Sequence, residues 1–214
     1  MMAAKPKRIL MTADTIGGVW AYTLELAKAL APHGIEIALA TMGAPLSRHQ
    51  RKMVGALRNV QLYESTLKLE WMENPWVDVA RAGDWLLTIE NDIDPDLIHL
   101  NSYAHGALPW RQPHLVVGHS CVLSWWRAVK RETAPEEWRE YAKAVSRGLH
   151  QADLVVAPSR AMMAELQRYY GPLESTAVLP NGRDCSLYAP LPKRNCVLAA
   201  GRLWDDAKNI AALD

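Results

Sequence analysis

Residues Ile9-Leu10-Met11-Thr12-Ala13-Asp14-Thr15-Ile16-Gly17-Gly18-Val19 pass from a short apolar run through polar residues into a glycine pair. The apolar run over 9–11 reads as a buried strand, and the glycines mark the turn that leaves it. Beyond them, Tyr22, Leu26, Ala29 and Leu30 recur at helical spacing with Glu25 and Lys28 outside, until Pro32-His33-Gly34 ends the pattern. The spacing predicts a helix from Gly18 to Ala31, which makes the segment the opening of a βαβ unit.

The same alternation continues along the chain. Short apolar runs at 35–40, 97–100, 115–117, 154–157, 177–179 and 196–200 are separated by longer stretches with helical patterns. Over 135–151, Trp138, Tyr141, Ala142, Val145 and Leu149 share one face, and Glu136 and Glu137 stand in the first turn, where acids complement the helix dipole. Ser159 is the expected N-cap of a helix over 160–170 that Gly171-Pro172 terminates, and weaker helices are expected over 48–58 and 76–92. The expected class is α/β, a Rossmann-like parallel sheet with helices on both faces.

Residues 1–180 read as one complete domain. Residues 181–194, with Pro180-Asn181-Gly182, Pro190 and Pro192, carry turn formers and no helical period, and are expected to be a linker. Residues 195–214 read as a strand at 196–200 and a helix start at Asp205. One strand and two helical turns bury no core, so this piece is expected to be the truncated start of a second domain.

The 214 residues are 50% apolar and 22% charged with a net charge of +1, which fits a globular chain and argues against a nucleic-acid partner. No run is long and apolar enough for a membrane span, and the stretch after Arg8 is too short for a signal-peptide core, so a cytoplasmic location is expected. Cys121, Cys185 and Cys196 form no C-x-x-C pair, and His99, His105 and His119 follow no compact ligand spacing; no metal is expected.

In an open parallel sheet, ligands bind beyond the carboxyl ends of the strands. Gly17 and Gly18, opening a helix, leave backbone N–H groups bare toward an anionic or hydroxyl-rich ligand; the alternative is a turn pair with packing duty only. Neither the dinucleotide glycine fingerprint nor a P-loop is present. His119, after the run at 115–117, is either a hydrogen-bonding or acid–base residue or a structural histidine. Asn101, Tyr103 and His105 follow the next strand end and offer polar groups suited to sugar hydroxyls. Trp125-Trp126-Arg127-Ala128-Val129-Lys130-Arg131 has the composition of a patch in peripheral membrane contact, set against a reading as two tryptophans tucked under a solvated helix face. Arg202 stands at a strand exit and Lys208 in the expected first helical turn, where an anion between them would relieve the conflict of Lys208 with the dipole; the alternative is a solvated pair neutralised by Asp205 and Asp206.

Several of these pieces occur together in order: Gly17-Gly18-Val19 with Glu25-Leu26-Ala27; Asp96-Leu97-Ile98-His99; His119 after an apolar strand; Ala152-Asp153-Leu154-Val155-Val156-Ala157-Pro158-Ser159; Pro180-Asn181-Gly182-Arg183-Asp184; and Gly201-Arg202-Leu203 with Lys208-Asn209. In that order and spacing the chain resembles the amino-terminal half of a GT-B glycosyltransferase of family 4 (group 1). The resemblance implies two Rossmann-like domains, the first holding mainly an acceptor and the second mainly a nucleotide-sugar donor, with retention at the anomeric carbon and no metal or other cofactor. It implies that Gly17 and Gly18 approach the donor diphosphate and the acceptor, that His119 lies beside the transferred sugar, and that Arg202 and Lys208 grip the phosphates. Asn101, Tyr103, His105 and Trp125 are then candidates for contact with a sugar or lipid acceptor. The family's Glu-x7-Glu pair would lie beyond Asp214. The chain alone is therefore expected to be inactive, needing a carboxyl-terminal donor domain in cis or in trans. The alternatives are a non-catalytic acceptor-binding subunit of a split glycosyltransferase and a fragment of a GT-B-like sugar-nucleotide epimerase.

Overall fold

The computed structural model describes residues 5–202 and 205–213. Seven strands form one parallel sheet: β1 (Arg8–Asp14), β2 (Glu36–Met42), β3 (Val60–Glu64), β4 (Leu97–Leu100), β5 (His114–Val117), β6 (Leu154–Ala157) and β7 (Thr176–Val178), in the order β3-β2-β1-β4-β5-β6-β7. The helices are α1 (Gly18–Leu30), α2 (Arg48–Gly55), α3 (Trp76–Ile93), α4 (Val122–Trp125), α5 (Arg139–Gln151) and α6 (Arg160–Tyr170). A sheet covered on both faces needs apolar side chains on both, and β1 shows it. Leu10 packs with Leu86 of α3, Leu149 of α5 and Leu166 of α6, whereas Ile9 and Met11 pack with Leu24 and Ala27 of α1 and Val54 of α2.

Most element ends follow from local chemistry. Ser47 and Gln50 form a reciprocal capping box at α2, Ser159 accepts from the Met162 N–H at α6, and Gly34 takes a left-handed conformation after the short 3-10 turn that extends α1. The expected helices over 76–92 and 160–170 are present as α3 and α6, and the one expected over 135–151 is a 3-10 turn at Glu136–Trp138 running into α5.

Four local expectations are corrected. β3 was not expected, because Val60-Gln61-Leu62-Tyr63-Glu64 is a half-exposed edge strand without a continuous apolar signature. Residues 196–200 form no strand; Val197 and Leu198 are exposed, since no neighbouring strand offers them a hydrogen-bonding partner. Asp205 begins not an α-helix but 3-10 turns, Asp206–Lys208 and Ile210–Leu213. The buried stripe of α1 is Trp20, Thr23, Leu24 and Ala27 rather than the row containing Tyr22 and Leu26. That second row faces a cavity of about 640 Å3 lined by Leu115, Val117 and Val156 of the sheet and by residues 179–184. Residues 181–194 carry one 3-10 turn, Cys185–Leu187, and their start is tied to α1 by Lys28–Asp184 at 2.8 Å and Arg183–Glu25 at 3.6 Å. Leu203, Trp204 and Asp214, parts of the expected second unit, lie outside the described residues.

Candidate functional site

Strand order reverses at β1. The chain continues to β2 on one side and β4 lies on the other, so the loops after β1 and β4 separate and leave a crevice beyond the strand ends. A cleft of about 540 Å3 occupies this position. Gly17, Gly18, Asn101, Tyr103, His119, Trp125 and Arg202 all line it.

The β1 loop is built to leave main chain bare. Gly17 has φ of 85° and ψ of −147°, a conformation that essentially only glycine adopts, and no side chain caps the start of α1. A β-carbon at Gly18 would meet no atom within 4 Å, so that position is open rather than packed. The loop is held from behind. The Thr15 hydroxyl donates to the Ala44 carbonyl at 2.7 Å, and the Gln50 amide donates to the Thr15 carbonyl at 2.7 Å. Asp14, at the end of β1, accepts from the Ile16 N–H at 2.8 Å, and burial pushes its carboxyl above the usual range.

The β4 loop is fixed more tightly. Asn101 donates its backbone N–H to the Thr12 hydroxyl at 2.8 Å and its side-chain amide to the Thr12 carbonyl at 2.7 Å. Two residues on, the buried carboxylate of Glu70 accepts from the N–H groups of Tyr103 and Ala104 at 2.7 and 3.0 Å. Burial drives the Glu70 carboxyl upward while those two donors pull it down. The Tyr103 hydroxyl donates to the Ser120 carbonyl at 2.8 Å, joining this loop to the one after β5.

His119 stands at the centre of these contacts. Its Nε2 lies 2.8 Å from Asn101 Oδ1, and its ring is edge-on to Tyr22 with centroids 4.6 Å apart. Burial lowers its pKa to about 4, so the imidazole is neutral at neutral pH. His99, behind it on β4, is also lowered to about 4 by burial, with repulsion from His119 added.

The opposite wall is aromatic. Trp71, Trp125, Trp126, Trp138 and Tyr141 line the cleft, and Trp125 and Trp126 meet edge to face at 5.8 Å. The two tryptophans are half-buried on α4 and the π-helical turn Trp126–Lys130 that follows it, so they face the cleft rather than merely packing under a solvated helix. The cations beside them are engaged, Arg127 with Glu165 and Lys130 with Asp206 at 2.6 Å. No described helix is long and apolar enough to cross a membrane.

Two candidates sit differently from expectation. His105 is 1% exposed, its Nε2 donating to the Val79 carbonyl at 3.1 Å and its Nδ1 facing the Ser102 hydroxyl at 3.1 Å; it does not reach the cleft. Lys208 is outside the cleft lining, and because residues 206–208 form a 3-10 turn, no α-helix dipole opposes its charge there. Its stem passes beside Gly201, while Arg202 donates to Asp205 at 2.7 Å. Among the described residues no group of three metal-ligating side chains is gathered. Thr12, Tyr22 and Glu70 are site residues that no motif marks, since their roles depend on partners distant in sequence.

The Glycosyltransferase Family 4 profile matches residues 16–187. No curated protein matches the chain. Among solved structures, the sucrose-phosphate synthase of Thermosynechococcus elongatus aligns with a TM-score of 0.63 at 17% identity, over 86% of this chain and 50% of that one. HepE of Anabaena, solved with UDP and glucose, aligns at 0.57 and 18% identity over 87% and 47% of the two chains. A UDP-glucosyltransferase of Polygonum tinctorium aligns at 0.56 and 14% identity over 91% and 56%. The chain thus spans about half the length of these proteins, and the likeness is one of fold. With a family match over residues 16–187, which takes in the glycine pair, the β4 loop and His119, the chain belongs to glycosyltransferase family 4.

Proposed function

We propose that this chain supplies the acceptor side of a glycosyltransferase that moves a sugar, with retention and without a metal, from a nucleotide-sugar donor to a hydroxyl of an acceptor bound in the cleft. The convergence of the β1 loop, the β4 loop and His119 on one crevice carries this reading, because these are the positions where a parallel sheet presents ligands. A donor-binding α/β domain closes over the cleft in cis or in trans. The glycine loop approaches the diphosphate and acceptor with bare N–H groups, and Arg202 and Lys208 meet the charge that builds on the departing phosphates. His119 lies beside the transferred sugar, and Trp125 offers its ring to the acceptor.

Departure of a nucleoside diphosphate creates negative charge, so a fixed cation is worth more in the transition state than in the ground state. In the enzyme assembled with its donor domain, Arg202→Ala or Lys208→Ala is expected to lower kcat/KM by roughly tenfold to a hundredfold, from about 1.5–3 kcal/mol per charge-assisted contact. The melting temperature should stay within a degree or two, since both lie outside the core. UDP is the probe for calorimetry, chosen because HepE holds it. Unchanged UDP affinity and turnover in both variants would return the pair to ordinary solvated charges.

A further inference from the structure

The hydrogen bonds around Asn101 determine where the proton of His119 sits. The Thr12 carbonyl can only accept, so the Asn101 group 2.7 Å from it is the NH2, and the carbonyl Oδ1 is the end that faces His119. Oδ1 can also only accept. The imidazole nitrogen 2.8 Å from it therefore carries a hydrogen, which places the proton of the neutral ring on Nε2. Nδ1, across the ring, is then a lone-pair acceptor, and no described residue hydrogen-bonds to it. Asn101 is held against turning over, because a flipped amide would set Oδ1 against the Thr12 carbonyl oxygen, and its backbone is fixed by the Thr12 hydroxyl at 2.8 Å and by Glu70 just beyond it.

We propose that Asn101 is a positioning residue which, anchored on Thr12, locks His119 as the neutral Nε2–H tautomer so that Nδ1 is kept as an acceptor for a hydroxyl of the bound sugar. Asn101 is thereby given a task within the protein, its backbone N–H and side-chain NH2 on Thr12 and its Oδ1 on His119, beside any contact it makes with the acceptor. The role toward a sugar rests on the cleft being the transfer site. The lock itself does not, and the two can fail separately.

The test uses the 214-residue chain labelled with 15N and long-range proton–nitrogen correlation spectra at neutral pH. Nε2 of His119 should resonate as a protonated nitrogen and Nδ1 as an unprotonated one, with the Hε2 proton visible and showing a contact to the Asn101 side chain. Asn101→Ala should accelerate exchange of that proton with water by about tenfold or more, the equivalent of one lost hydrogen bond. Asn101→Asp keeps an acceptor for Nε2 but loses the NH2 anchored on the Thr12 carbonyl, so it should slow that exchange only in part relative to Asn101→Ala, and should raise the ring pKa through the adjacent charge. An unprotonated Nε2, or a proton shared between both nitrogens, in the unaltered chain overturns the lock whether or not either variant folds. A confirmed lock together with unimpaired transfer by His119→Ala in the assembled enzyme would instead overturn the role of the cleft and leave the tautomer assignment standing.

Discussion

Gly148→Ala should cost about 3 kcal/mol or more of folding stability, although alanine is by propensity the better helix residue by about 1 kcal/mol. Gly148 is inside α5, where the helix packs backbone to backbone on the 3-10 turn Ala104–Ala107 that follows β4. A β-carbon there would stand 1.8 Å from the Tyr103 carbonyl oxygen and 2.8 Å from its carbon, with no flexible side chain to yield. The contact is reciprocal, because a β-carbon at Gly106 would stand 2.5 Å from the Gly148 carbonyl oxygen. Relief requires α5 or the turn to move as a unit, and a close-packed interior does not absorb such a shift locally. The turn carries Tyr103, whose N–H is held by Glu70 and whose hydroxyl is held by Ser120, so the displacement also loosens Asn101 and His119. Thermal unfolding should fall by about 6–12 °C for a chain of this size, with an altered environment for the cleft tryptophans seen in their fluorescence. Gly55→Ala is the control. No atom lies within 4 Å of its β-carbon position, and it should be neutral or stabilising by up to about 1 kcal/mol. Equal melting temperatures for Gly148→Ala and the unaltered chain would refute the close approach.

That dependence marks the boundary of what sequence patterns reveal here. Apolar runs located six of the seven strands: five lie inside the sheet, where burial on both faces demands apolar side chains, and the sixth, the edge strand Thr176–Val178, is marked by its own short run Ala177–Leu179. The seventh, Val60–Glu64, is the other edge strand and carries no such run, since Gln61 and Glu64 interrupt it. The run at 196–200 has the same composition as a buried strand and is not one, since composition supplies the face and only a neighbouring strand supplies the hydrogen bonds. In α1 nearly every residue from Val19 to Leu30 is apolar or small apart from Thr23, Glu25 and Lys28, so two stripes compete and periodicity does not select between them. At the site, the glycine pair and His119 stand out by type and by position at strand ends. Asn101 stands out too, but only as a polar residue after a strand. Its function is set by Thr12, 89 positions earlier, and by a histidine 18 positions later, and no local spacing encodes those contacts. The need for a glycine at 148 is visible only with the Tyr103 carbonyl against it.

Acid should unfold the chain from the histidines rather than from its surface carboxylates. His99 and His119 both have folded-state pKa values lowered to about 4, against about 6.5 in an unfolded chain, because burial penalises the imidazolium. His105, with both ring nitrogens engaged in the interior, is shifted in the same direction. The unfolded state thus takes up protons below about pH 6.5 that the folded state refuses. Stability is complete above that pH, declines as pH falls, and stops declining from this source near pH 4. A shift of this size is worth about 3 kcal/mol for each of His99 and His119, the mutual repulsion of the charged rings being already part of the His99 shift. Against a typical total of about 5–15 kcal/mol, this is a substantial share of the chain's stability. The carboxylates act elsewhere or in the opposite sense. Asp184, lowered to about 2 by Lys28 and Ser186, loses its contribution only below the histidine window, and Glu70, raised by burial, favours the folded state as it gains a proton. Urea midpoints measured from pH 7.5 to 4.5 should fall steadily below about pH 6.5, and His99→Gln or His119→Gln should each flatten the slope by a third to a half. A midpoint constant between pH 7 and 5 would show that the two rings titrate as they do in an unfolded chain and are not held neutral at the centre of the cleft.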